Sequence, residues 1–91
     1  MDIRAMSGPF AGEQFRFHVS GTLPPTRIVV YIDQAVVLSK DCDDPPCHET
    51  VSIPPGTKGS EVRIIASDPT GLREEQRFTV RDAESSAGGM M

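Results

Sequence analysis

The sequence predicts an all-β fold, a single small antiparallel β-sandwich. Three observations point there. Short segments between Arg27 and Val80 alternate apolar and polar residues with a period of two, as half-buried strands do. Turn-forming residues punctuate them at Asp33, at Cys42 to Cys47, at Pro54-Pro55-Gly56 and at Asp68-Pro69-Thr70-Gly71. No segment holds an apolar stripe at helical spacing long enough for a stable helix.

The elements follow in order. Asp2 to Met6 is a weak edge strand before the Gly8-Pro9 break. From Glu13 to Ser20 the alternation is strict, with Phe15, Phe17 and Val19 on one face and Gln14, Arg16, His18 and Ser20 on the other. Gly21 to Thr26, with Pro24-Pro25, ends it. Arg27 to Ile32 places Ile28, Val30 and Ile32 together, leaves Val29 and Tyr31 outward, and reads as a central strand. Asp33-Gln34 turns into a shorter strand, Ala35 to Ser39, because Lys40 to Pro46 is too polar and Pro-rich to continue a ladder. His48 to Ile53 resumes the pattern until Pro54 and Pro55 forbid pairing. Glu61 to Asp68 and Arg73 to Arg81 make a hairpin around Pro69 to Gly71, with Gln76, Phe78 and Val80 in phase.

One sheet is expected around the Phe15 and Val51 strands and the other around Ile28, Val62 and Phe78. The predicted core is Phe15, Phe17, Val19, Ile28, Val30, Ile32, Val51, Ile53, Val62, Ile64, Ala66, Phe78 and Val80. Residues 1–82 form the predicted domain, and 83–91, Ser, Gly and Ala with paired Met, read as a flexible tail or linker.

A chain of 91 residues is one domain, and one of that size buries only roughly 60 to 65% of the surface its unfolded form exposes. Stability therefore rests on Val, Ile and four Phe, with no Trp, and a cross-link helps more than in a larger protein. The formal charge is -4, with both signs mixed along the strands. No basic stripe is present to neutralise a run of phosphates, which argues against a nucleic-acid partner. No apolar stretch reaches the roughly 18 to 20 residues of a transmembrane segment, and the first residues lack the pattern of a signal peptide. If the protein is exported, the expectation is that these residues are a segment of a longer polypeptide.

The series RIVVYID from Arg27, VVLSKDCDDPPCHETVSIPPGT from Val36, GSEVRIIASDPTG from Gly59 and QRFTV from Gln76 resembles the immunoglobulin-like domains of bacterial and archaeal extracellular proteins. The resemblance runs from Phe15 to Val80 and rests on the order and spacing of turn motifs. Gln34 stands where that family usually has Gly, which implies a turn that needs no positive φ at this position, and Leu72 stands where Asn often follows. The Cys, Trp and Cys arrangement of antibody domains is absent from the sequence. The resemblance implies a Greek-key sandwich of about seven strands. It also implies a non-catalytic module of a secreted, periplasmic or cell-surface protein, serving as spacer, adhesion unit or enzyme-accessory domain. Neighbouring domains, or a protein or carbohydrate ligand, are its expected partners.

Cys42 and Cys47 are the only cysteines and enclose Asp43-Asp44-Pro45-Pro46. The main reading is a structural disulfide, which belongs to an oxidising compartment and, in the chain-entropy model, contributes about 2 kcal/mol. The alternative is a metal-binding or metal-delivery domain, with Cys42, Cys47 and His48 as ligands and a carboxylate or His18 as a fourth. Against it, neighbouring residues in a strand face opposite ways. Other candidates are weaker: a protease-inhibitor loop presenting Asp43 or Asp44, and a copper site from Met1, Met6, Met90, Met91 and His18. Asp33, Asp68 and Asp82 are candidates for calcium at one end of the sandwich, though an Asp at a turn more often caps its own turn. His18 reads as solvent-facing, Glu74-Glu75 and Asp43-Asp44 as solvated charge. No Ser, His and Asp arrangement can be assembled, so enzymatic activity and cofactors are not expected.

Overall fold

The computed structural model describes residues 1–82, and the tail expected at 83–91, with Met90 and Met91, lies outside the described residues. Seven strands are present: β1 (Asp2–Ala5), β2 (Gln14–Ser20), β3 (Thr26–Ile32), β4 (Ala35–Cys42), β5 (Cys47–Ser52), β6 (Glu61–Ser67) and β7 (Arg73–Thr79). They form two antiparallel sheets, ordered β1-β2-β5 and β4-β3-β6-β7. The partition is the expected one, with Phe15 and Val51 in the first sheet and Ile28, Val62 and Phe78 in the second. Among the described residues there is no helix.

Strict alternation makes the core. Phe15, Phe17 and Val19 of β2, Ile28 and Val30 of β3, and Val62, Ile64 and Ala66 of β6 are all essentially inaccessible to water. They face one another between the sheets, where apolar side chains from both inner faces interdigitate. Central β3, flanked on both sides, also buries Thr26; its hydroxyl donates to Leu23 O at 3.2 Å and shares a 2.6 Å hydrogen bond with the Thr22 hydroxyl, so the buried polar group is satisfied. Tyr31 faces outward from β3, as expected, under the Arg63 guanidinium at 4.6 Å from the ring centre.

The structure corrects three expectations. Phe78 is only half-buried, because β7 is an edge strand; its ring still meets Phe15 edge-on at 5.3 Å across the sheets. The last strand leaves β6 after Thr79, since Val80 N donates to Ser60 O and Arg81 N to Pro9 O, turning the chain toward the loop before β2. Most telling, β4 continues past Ser39 to Cys42, with Lys40 and Asp41 opposite Ile28 and Arg27. Polar residues do not stop an edge strand, where one backbone side and one flank meet water. A bulge opposite Val30 and Tyr31 leaves Val37 without a partner, and Val36 and Val37 are exposed. In the turn that precedes β4, the left-handed conformation falls on Asp33 (φ 55°), not on Gln34.

Extending β4 to Cys42 places that residue beside Cys47 at the start of β5, in the opposite sheet. The disulfide between them, with Cα atoms 6.3 Å apart, joins the two sheets along one edge. Two residues on in each strand, Lys40 Nζ lies 3.3 Å from Glu49 Oε2, closing the same edge with an ion pair.

Candidate functional site

The strand directions gather the connections at two ends. At one lie the β2–β3 loop (21–25), the β4–β5 loop (43–46) inside the disulfide, and the β6–β7 turn (68–72). Because β3 pairs with both β4 and β6, the β2–β3 loop sits between the other two. At the other end lie residues 6–13, the turn at 33–34, residues 53–60 and the exit at 80–82.

One carboxylate organises the first end. Asp68 Oδ1 accepts the Thr70 hydroxyl at 2.5 Å, Thr70 N at 3.0 Å and Leu72 N at 3.3 Å, while its Oδ2 accepts Leu23 N at 3.3 Å from the neighbouring loop. Hydrogen bonds to the charged form hold its carboxyl below the ordinary value, the Thr70 hydroxyl contributing most, with partial desolvation opposing. The two backbone groups that Asp68 captures outside Thr70 belong to Leu23 and Leu72, whose side chains are 57% and 51% exposed. Large aliphatic side chains held in water on proline-stiffened loops cost solvation and contribute nothing to the core. At the same end, Asp43 and Asp44 stand exposed in the disulfide loop. This end of the sandwich therefore carries exposed aliphatic side chains on two loops and exposed carboxylates on a third.

The sequence-predicted residues fall as follows. Cys42 and Cys47 are joined to each other, so neither is free as a metal ligand, and Cys47 is buried while His48 faces out from the same strand. That overturns the Cys42, Cys47 and His48 ligand set. The calcium set is overturned too: Asp68 lies at the disulfide end, whereas Asp33 and Asp82 lie at the other. Asp33 does not cap its own turn; its Oδ1 accepts Glu61 N at 3.0 Å and its N–H donates to Glu61 O at 2.8 Å, tying the turn to β6. Met1 packs on the core beside Gly21, at the opposite end of β1 from exposed Met6, so the two proposed methionine donors among the described residues are not brought together.

Glu75 lies between Arg77 at 2.8 Å and Arg73 at 3.6 Å on the outer face of the four-stranded sheet, and the Arg77 hydrogen bond, ahead of the surrounding positive charge, holds its carboxyl below the ordinary value. It is a solvated charge cluster of the kind expected for paired carboxylates.

The structure also brings together two residues read separately in the sequence. His18 and His48 are directly opposite in the β2–β5 ladder, with ring centres 5.5 Å apart and planes at 88°. The register that pairs them depends on Phe15 opposing Val51, which period-two alternation alone does not specify.

Among the described residues no group of three or more His, Cys, Asp or Glu converges in a metal-holding arrangement. No helix of the described residues is long and apolar enough to cross a membrane. No protein-family model, curated protein or solved structure matches this chain.

Proposed function

We propose that this chain is a non-catalytic immunoglobulin-like binding module of a secreted or cell-surface protein, and that it meets its protein or carbohydrate partner through the loops at the disulfide end. The observation that carries the reading is the Asp68 carboxylate, which fixes the backbone of Leu23 and Leu72 in adjacent loops while both side chains remain in water. Loops set on a rigid sandwich are where such folds place recognition. The strand order supports the family reading: β2 to β3, β4 to β5 and β5 to β6 each cross between the sheets, as Greek-key connections do. The disulfide supports an oxidising, extracytoplasmic setting, in which such cross-links persist.

Screening the oxidised protein against immobilised secreted proteins and glycans tests this. A specific ligand whose binding disappears in the Leu23→Asp/Leu72→Asp variant, but survives Lys58→Ala at the opposite end, supports it. Binding that is unchanged by the loop variant and lost with Lys58 would overturn the assignment of the face.

A further inference from the structure

We propose that His18 and His48 form a two-imidazole site for a late transition-metal dication, copper(II) above all, on the outer face of the three-stranded sheet. This is a different face from the loop end and stands whether or not that end binds a partner.

Two imidazoles bound to one ion through nitrogens at about 2.0 to 2.1 Å, with an angle of roughly 90 to 120° at the metal, have ring centres roughly 4.5 to 5.5 Å apart. His18 and His48 already stand at 5.5 Å, held there by direct opposition in the ladder rather than by loops. Their perpendicular planes turn toward a shared ion by side-chain rotation alone, a fast motion for rings that are exposed or half-exposed. Antiparallel pairing from Gln14 to Val19 on β2 fixes the backbone beneath them, so little ordering remains to be done on binding.

The surroundings decide which ion. Arg4 lies opposite His18 on β1, engaged with Asp2 at 3.4 Å, and Arg16 occupies the next outward position on β2, opposite Thr50. Two guanidiniums weaken the hold on any cation and leave the advantage to the metal with the strongest imidazole bond, which in the divalent series is copper(II). Glu49 offers no help, since it points to the sandwich edge and pairs with Lys40. With no third His, Cys, Asp or Glu converging among the described residues, the remaining coordination positions belong to water or to an added ligand, which leaves the ion accessible.

The test is titration of the oxidised, untagged protein with copper(II) chloride, followed by calorimetry and electron paramagnetic resonance, beside His18→Gln, His48→Gln and the double variant. Both side chains lie on the solvent face, so each variant should keep its strands, which circular dichroism checks. The expected result is a single ion per chain with nitrogen hyperfine structure from two imidazoles. The second imidazole binds at the high effective concentration of a fixed pair, so either single substitution should weaken binding by at least roughly tenfold. Zinc should bind more weakly than copper at the same positions. Wild-type affinity in either single variant would show a lone-histidine site and overturn the proposal, as would affinity in the double variant equal to that of the native chain.

Discussion

Leu23 and Leu72 both donate their backbone N–H to one carboxylate, that of Asp68, each at 3.3 Å, although strands β3 to β6 separate their loops in the sequence. The shared acceptor converts two neighbouring loops into one surface. Removing it should loosen that surface without unfolding the sandwich, because the carboxylate bonds only loop groups and no residue of the apolar core. In Asp68→Ala, amide hydrogen exchange at Leu23, Thr70 and Leu72 should accelerate, while amides of Phe17 and Val30 keep their protection. Equal acceleration throughout the chain would mean that Asp68 acts on global stability instead.

Acid should act on the same tether, with a defined sign. The folded-state carboxyl of Asp68 is held below its ordinary value of 3.8, by the Thr70 hydroxyl first and then by the backbone N–H groups. A depressed carboxyl contributes stability that is fully present above the unfolded value and is lost as pH falls through the folded one. The loop tether therefore persists at neutral and mildly acidic pH and fails only below the ordinary carboxylate range. Chemical shifts of the Leu23 and Leu72 amides, followed from pH 7 downward, should titrate together with an apparent midpoint below 3.8. Separate or higher midpoints would sever the two loops from Asp68.

The disulfide joins the sheets but does not create the core. Phe15, Phe17, Ile28, Val30, Val62 and Ile64 are buried between the inner faces of the two sheets. Reduction, or Cys42→Ala with Cys47→Ala, should lower unfolding free energy by about 2 kcal/mol, the contribution of a short ring, and leave the strands intact. Urea denaturation with and without reductant reads this directly. A chain that unfolds entirely on reduction would show that the inner faces do not suffice.

Period two at Phe15, Phe17 and Val19, and again at Ile28, Val30 and Ile32, was legible in the sequence because burial on one face leaves a mark at every second residue. So was the assignment of Phe15 and Val51 to one sheet. The extent of β4 was not legible: Lys40 and Asp41 look like loop residues, and only their position on an edge, with Lys40 reaching Glu49, makes them strand. The candidate site was hidden for a similar reason. Asp68 announces a turn, but its bond to Leu23 spans a sequence distance over which no local pattern acts. The meeting of His18 with His48 likewise follows from register, which the alternation constrains only to within an even shift.

Packing at the sheet interface gives a graded prediction. Phe15 is fully buried and touches Phe17 and Phe78, with ring centres at 6.1 and 5.3 Å, whereas Phe78 keeps part of its surface in water on edge strand β7. Phe15→Ala should cost about 3 to 5 kcal/mol, and Phe78→Ala distinctly less. Phe15→Leu, which keeps most of the volume, makes the comparison measurable if the larger deletion does not fold. Calorimetric midpoints that fall further for Phe78→Leu than for Phe15→Leu would reverse the order of burial.

The ion pair beside the disulfide should behave differently from the one on the open face. Glu49 keeps only 11% of its side chain accessible where it meets Lys40 at 3.3 Å, whereas Arg27 and Asp41, at a similar 3.4 Å, are both more than half exposed. Exposed pairs contribute about 0 to 1 kcal/mol and fade in salt, since mobile ions reach both partners. Lys40 is itself 46% accessible, but with Glu49 shielded between β4 and β5 this pair should retain more of its coupling at high ionic strength than Arg27 and Asp41, whose coupling falls toward zero. Double-mutant cycles using Lys40→Met with Glu49→Gln, and Arg27→Met with Asp41→Asn, measured at low and high salt, separate the two. If both couplings vanish together in salt, the β4–β5 edge is open to water and the disulfide alone closes it.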